Sequence, residues 1–205
     1  MKQTCITLAA LSASLVAAAP AWAQAVVGQS APAFAAVPDT QGKAASLADY
    51  KGKYVVLEWV NPGCPFVQKH YNSGNMPATQ KSAEAKGVVW LAVNSTAKDA
   101  SDYQSPADLN AWLQSKGAKP TATLMDVDGK VGKAYGARTT PHMYVIDPQG
   151  KLIYAGAIDS KASANPADIK TATNYITQAL AEAQAGKPVS HPTSQAYGCS
   201  VKYAS

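Results

Sequence analysis

The stretch Tyr54-Val55-Val56-Leu57-Glu58-Trp59-Val60-Asn61-Pro62-Gly63-Cys64-Pro65-Phe66-Val67 constrains this chain more than any other. It opens as an apolar run rich in β-branched side chains, which reads as a strand buried on both faces. Asn61-Pro62-Gly63 is a turn signal, and the chain restarts at Cys64-Pro65. Proline is favoured at the first helical position because its missing N–H would have had no partner there. Cys64 is therefore expected at a helix N-terminus, at the carboxyl end of a strand. The partial positive charge at that end stabilises a thiolate and lowers the thiol pKa. An inert buried thiol is the competing reading, and the strand–turn–Cys-Pro–helix arrangement favours the reactive one.

The chain of 205 residues opens on the pattern of an export leader. Lys2 supplies a positive start, Ile6 to Ala19 is apolar, and Ala21-Trp22-Ala23 is a small-x-small cleavage site. Cleavage after Ala23 is expected, giving a periplasmic or secreted protein. The apolar run is too short and too rich in Ala and Ser for a membrane span, so no membrane association is expected once the leader is gone. Cys5 precedes the apolar run and does not read as a lipid acceptor. Without Lys2, the 18 Lys and Arg fall to 17, against 13 acids. They are spread singly with Arg138 the one arginine, so nucleic-acid binding has no support.

Residues 24–186 have the length of a single domain with a sizeable core, followed by a tail of residues 187–205. Removing the leader leaves Cys64 and Cys199 of the three cysteines. An even pair of thiols in an oxidising compartment invites a disulfide, which would close a very long loop. That bond is either a permanent staple for the tail or a redox couple.

Along the chain, Phe34–Val37 reads as a short edge strand and Ser46–Tyr50 as a helical turn stopped at Gly52. The helix after Cys64 carries Phe66, Val67, His70 and Tyr71, breaks at Asn72–Asn75 and resumes to about Ala85. Val88–Val93 and Thr121–Met125 are further strands. Ser105-Pro106-Ala107-Asp108 is a capped helix start. Asp126-Val127-Asp128-Gly129 resembles the opening of a calcium loop, but the closing glutamate is missing, so a turn into a short helix Lys130–Tyr135 is expected. His142–Asp147 and Lys151–Gly156 flank Asp147-Pro148-Gln149-Gly150, a hairpin signature. Asn165-Pro166-Ala167-Asp168 is expected to cap one last helix with Ile169, Ala172, Ile176, Leu180 and Ala183 on one face. The tail shows little periodicity. Strands alternating with helices, then a hairpin and a covering helix, describe an α/β sandwich. Its site belongs at the carboxyl ends of the parallel strands, where Cys64 falls.

Several of these segments together resemble the thioredoxin fold, and within it the redoxin or peroxiredoxin-like (alkyl hydroperoxide reductase/thiol-specific antioxidant) group. The resemblance covers about residues 26–186. It is carried by Leu47-Ala48-Asp49-Tyr50-Lys51-Gly52-Lys53, the strand into Cys64-Pro65, Thr139-Thr140-Pro141, and Val145-Ile146-Asp147-Pro148-Gln149-Gly150-Lys151. The terminal Gly198-Cys199-Ser200-Val201-Lys202-Tyr203 is similar to an ending found in exported peroxiredoxin-like proteins. The fold implied is α/β, a thioredoxin-like three-layer sandwich with a central mixed sheet. The resemblance implies that Pro141 is a cis-proline beside the reactive cysteine, leaving backbone free to pair with a substrate. About 5% of X–Pro bonds are cis, so this expectation comes from the resemblance alone. Thr140 and Pro65 would line the same substrate groove. Glu58, six residues before Cys64, stands where thioredoxins carry a buried acid that moves protons. A carboxylate inside an apolar strand should have a raised pKa; a strand-end acid facing water is the alternative. Cys199 would be a remote resolving cysteine.

The chain also departs from the family pattern. Val67 stands where a CxxC motif has its second cysteine, so intramolecular resolution falls to Cys199. Asn61 and Leu57 replace the Thr or Ser and the Pro of the peroxidase signature, and Pro141 stands where peroxidases hold an arginine. Arg138, three residues away, is a candidate substitute. His142 and His70 are candidate partners for Cys64, as thiolate activators or copper or zinc ligands, against the commoner role of a histidine bonded to backbone; His191 suggests nothing.

The expected function is an exported thiol–disulfide oxidoreductase. Cys64 attacks an oxidised sulfur, or a peroxide, and Cys199, arriving on a mobile tail, resolves the product to a Cys64–Cys199 disulfide. Glu58 shuttles the proton and an external thiol restores the dithiol. The partners are a thiol or disulfide protein or a small thiol or peroxide, with no bound cofactor or metal. A non-enzymatic module, with a structural disulfide or a Cys/His metal site, is the second reading.

Overall fold

The computed structural model describes residues 24–204, so the leader and its cleavage site lie outside the described residues. The elements run β1 (Val37–Pro38), β2 (Ala44–Ala45), β3 (Val55–Trp59), α1 (Pro65–Asn72), α2 (Asn75–Glu84), β4 (Val89–Asn94), α3 (Pro106–Ser115), β5 (Ala122–Met125), α4 (Lys130–Tyr135), β6 (Thr139–Thr140), β7 (His142–Ile146), β8 (Leu152–Gly156), α5 (Tyr175–Gln184) and β9 (Cys199–Ser200). A single turn of 3₁₀ helix, Leu47–Tyr50, enters β3.

The main sheet has the order β5-β4-β3-β7-β8. β3 is parallel to β4, and β4 to β5, whereas β7 runs antiparallel to both β3 and β8. The sheet is therefore mixed, with β3 at its centre. Val55, Val56, Leu57 and Trp59 are all buried, and burial of such side chains is worth about 1.5–3 kcal/mol each. Alternation along the strands divides the core in two. Val56, Val60, Trp90, Met143 and Val145 face α1, α2, α3 and α5, together with Cys64. Leu57, Trp59, Leu91, Tyr144 and Ile146 face α4 and the N-terminal segments. The result is the expected three-layer α/β sandwich.

Local sequence explains most element boundaries. Gly74, at φ +75°, makes the left-handed step between α1 and α2 that an L side chain resists. The Ser105 hydroxyl accepts from the Asp108 amide at 3.2 Å and starts α3. Asp147 Oδ1 accepts from the amides of Gln149 and Lys151, both at 2.9 Å, and closes the β7–β8 hairpin.

Two expectations are corrected. The last helix is not continuous from Asn165. Pro166–Thr171 forms a 3₁₀ segment, and α5 begins only at Tyr175, after a second cap at Asn174. Asn174 Oδ1 accepts from the amides of Ile176 and Thr177, and its Nδ2 donates to Thr79 Oγ1 at 3.1 Å. Thr171-Ala172-Thr173 favours extended backbone, Ala172 at ψ 143°, and a bridge between Asp159 and Asn174 holds it so. The second correction concerns the tail, which is seated rather than loose. Ser194 donates its amide to Ala155 O at 3.2 Å, and β9 pairs antiparallel with β6. The register is Thr140 opposite Cys199 and Thr139 opposite Ser200. Pairing across the chain, rather than any periodicity of its own, gives this segment its conformation.

Asn174→Ala should lower stability by about 1–2 kcal/mol through loss of the cap and its link to α2, read as a lower urea midpoint with an unchanged slope.

Candidate active site

Cys64 is the N-cap of α1 and Pro65 its first helical residue, as expected from the Cys-Pro pair. Asn61 shapes the turn that delivers it. Asn61 Oδ1 accepts from the Gly63 amide at 2.8 Å, and its carbonyl accepts from the Cys64 amide at 3.1 Å. The same side chain donates to Thr96 Oγ1 at 3.1 Å and Asp102 Oδ2 at 3.0 Å, tying the turn to the loop after β4. The asparagine in place of a peroxidase Thr or Ser thus has a structural use here.

The Thr140–Pro141 peptide bond is cis. It lies against the cysteine, and the Cys64 thiol donates to the Thr140 carbonyl at 2.9 Å. Because Cys199 is opposite Thr140 in the β6–β9 pair, its amide points at Cys64 Sγ from 3.4 Å. A side chain on Gly198 would collide with the Thr140 carbonyl, and its φ of +138° also excludes one. The terminal Gly-Cys is therefore needed for close approach. Both cysteines are free thiols, so the Cys64–Cys199 disulfide is not formed in this state, although the two side chains are within hydrogen-bonding reach. Pro65 is exposed beside them and Thr140 and Pro141 are buried.

The two thiols differ in acidity. Burial pushes Cys64 up, but the Cys199 thiol, the Val67 amide of the first helical turn, Thr140 and the Cys199 amide outweigh it and hold Cys64 below the ordinary cysteine value. Cys199 is pushed up to about 12 by burial, by its bond to Cys64 and by the Cys64 charge. The same hydrogen bonds therefore favour ionisation of Cys64 over that of Cys199.

Glu58 is fully buried, which rules out the strand-end acid facing water. Its carboxylate accepts from Tyr71 Oη at 2.7 Å, Trp90 Nε1 at 2.7 Å and Gln80 Nε2 at 3.1 Å. Burial raises its pKa to about 7 against those three donors. It shares the Cys64 face of the sheet, yet is hydrogen-bonded to neither sulfur. Its donors were not anticipated as site residues; Tyr71, two turns beyond Cys64 on the same helix, was the available signal.

The histidines are not partners of Cys64. His142 stacks on Tyr144 at 4.7 Å on the opposite face of the sheet, and its Nδ1 accepts from the Arg138 amide at 3.2 Å. Burial and the Arg138 charge lower it to about 4. His70 is buried among Asn75, Asp159 and Tyr197. Arg138 is exposed, and its guanidinium makes no hydrogen bond or ion pair among the described residues. Among the described residues no group of three or more His, Cys, Asp or Glu is arranged to hold a metal. No helix among them is long and apolar enough to cross a membrane.

This mixed sheet, with a helix-capping cysteine facing a cis-proline, defines a thioredoxin-like redoxin. Residues 27–155 match the AhpC/TSA family, and the chain belongs to that family. It is 29% identical over 126 residues to the thiol-disulfide oxidoreductase ResA of Bacillus subtilis, an alignment spanning 62% of this chain and 64% of that protein. An uncharacterised conserved protein of Geobacillus kaustophilus superposes with TM-score 0.74 at 28% identity, covering 87% of this chain and 93% of the other. A putative thiol:disulfide interchange protein DsbE of Chlorobium tepidum gives 0.53 at 26% identity, covering 64% and 85%. A hypothetical protein of Sinorhizobium meliloti shares the fold at TM-score 0.73 and 23% identity, covering 88% and 96%.

The raised Glu58 pKa has a definite sign. Between its unfolded value near 4.5 and its folded value near 7 the native state holds the extra proton, so stability falls as pH rises through that window. Urea unfolding at pH 4 and pH 8 should show wild type losing about 3 kcal/mol relative to Glu58→Gln.

Proposed function

We propose that the protein is a thiol–disulfide oxidoreductase in which Cys64 is the attacking thiolate and Cys199 the resolving thiol. The observation that carries this reading is the pair itself. An acidic, helix-capping sulfur lies within hydrogen-bonding reach of a second, far less acidic one. Family membership and the likeness to ResA and to the DsbE-type protein support the same chemistry.

The cycle begins when the Cys64 thiolate attacks one sulfur of a substrate disulfide R–S–S–R′. The Cys64–S–R bond forms and R′–S⁻ leaves, taking up a proton. Cys64 then no longer carries charge, so two of the influences that raise Cys199, its bond to the thiolate and the thiolate's charge, disappear. Cys199 loses its proton, attacks Cys64 Sγ and expels R–S⁻. The substrate gains two electrons and two protons, the protein is left with Cys64–Cys199, and an external thiol returns the electrons. Glu58, buried on the same sheet face with a pKa near neutrality, is proposed to move protons during the exchange. Thr140, Pro141 and Pro65 line the place of attack. Export to the periplasm or exterior fits the leader pattern Lys2, Ile6–Ala19 and Ala21-Trp22-Ala23.

Peroxide is a second substrate class, favoured by the family but not by the site: Pro141 occupies the arginine position and Arg138 is exposed.

Cys64→Ser should abolish reduction of a small disulfide. Cys199→Ser should retain the first attack and accumulate the mixed disulfide on Cys64, detected by mass, with turnover lowered at least about a hundredfold. Equal turnover of wild type and Cys64→Ser would refute the reading.

A further inference from the structure

The tail is fastened beside the active site by a buried polar cluster that the exchange chemistry does not use. Lys69, His70 and Asp159 are each at most 3% exposed. Lys69 Nζ lies 3.5 Å from Asp159 Oδ2 and donates to the Lys161 carbonyl at 3.1 Å. Into this cluster comes Tyr197, two residues before Cys199. Its hydroxyl donates to Asp159 Oδ1 at 2.5 Å and lies 3.2 Å from His70 Nε2. The direction of the hydrogen-bond chain is set at its far end: Asn75 Nδ2 donates to His70 Nδ1 at 2.8 Å, so Nε2 carries the proton and donates to Tyr197. The Tyr197 ring packs edge-on against Phe66 at 5.8 Å and beneath Lys69 Nζ at 5.6 Å. Phe66, Lys69 and His70 all belong to α1, the helix that Cys64 caps. The pin and the nucleophile thus share one rigid element.

Beyond the pin, β9 occupies the backbone edge of Thr139–Thr140. Val201 donates to Arg138 O at 3.0 Å, Lys202 O accepts from the Ala97 amide at 2.8 Å, and Tyr203 Oη donates to Ala137 O at 2.7 Å. An extended substrate chain pairing beside the cis-proline would need this same edge. With the tail in place Cys64 is 2% exposed.

We propose that residues 190–203 act as a specificity strap, pinned by Tyr197 in the Lys69–His70–Asp159 cluster, which fills the peptide-pairing edge and restricts Cys64 to small disulfides until the pin is released. Tyr197 is a positioning residue, acting through Cys199 and Asp159. The proposal rests on the reading of Cys64 as the attacking thiolate. Release leaves Asp159 Oδ1 with only the Lys161 amide as donor, and loss of a hydrogen bond to a charged group changes such an equilibrium by about ten- to a hundredfold.

The test uses the full, pre-reduced protein without excess reductant. Thiol loss is followed after mixing with 2-hydroxyethyl disulfide or with insulin, in wild type and in Tyr197→Phe, which keeps the ring and removes the hydroxyl. The ratio of the insulin to the small-disulfide rate constant should rise at least about tenfold in Tyr197→Phe. A ratio unchanged within about twofold would overturn the proposal. Wild type alone supplies a second measurement that does not depend on the variant's folding. Alkylation of the reduced thiols by a polyethylene-glycol maleimide should be slowed at least about tenfold more than alkylation by iodoacetamide, relative to a free thiol. Equal slowing would also overturn the strap. If instead Cys64→Ser consumes 2-hydroxyethyl disulfide as fast as wild type, the reading of Cys64 fails rather than the strap.

Discussion

Two residues of backbone pairing, Cys199–Ser200 against Thr139–Thr140, bring Cys199 to Cys64. On one side, the buried strand β3 and the Asn61 turn fix Cys64 at the mouth of α1. On the other, the Thr140 carbonyl of β6, next to the cis Thr140–Pro141 bond, faces that sulfur. The strap reads this edge in register, so Cys199 lands opposite Thr140 and not one position away. A slip of one residue would turn its side chain to the other face. Gly198 secures the register, because no other residue fits against the Thr140 carbonyl.

The site holds two acidic devices of opposite character. Glu58 is an acid made weak, with burial outweighing three hydrogen-bond donors. Cys64 is an acid made strong, with its surrounding donors outweighing burial. Proximity to a helix N-terminus and to the Cys199 thiol separates the two outcomes. The difference between the sulfurs follows from their mutual hydrogen bond and from the donors gathered on Cys64, and in the proposed exchange it sets the order, with Cys64 first and Cys199 second.

Much of this was legible in the sequence because the signals were local. The run Tyr54–Val60, the turn at Asn61–Gly63 and the Cys64-Pro65 pair place Cys64 at the helix N-terminus without any tertiary information. Ser105-Pro106 and Asp147–Gly150 mark their own cap and turn. Other features were not legible because long-range contacts impose them. The strap's conformation comes from strand edges far away in the chain, so a segment without periodicity reads as loose. The split before α5 depends on Asp159 meeting Asn174, and the Thr171–Thr173 step is visible only once that bridge is known. Lys69 and Asp159 read as ordinary polar residues and His70 as a candidate partner of Cys64, since burial of a charge shows only when its partners arrive from three separate segments. The cis-proline and the Cys199 role came from resemblance to a family and not from propensity.

The most direct measurement is a titration of the reduced protein by the ultraviolet absorbance of its thiolates, with and without Cys199→Ala. The account predicts two separated steps in the intact protein, one below the ordinary cysteine value and one near 12, and a single, higher-shifted step for Cys64 when the Cys199 thiol no longer donates to it. Two steps together near the ordinary value of 9.0, unaltered by removal of Cys199, would contradict it.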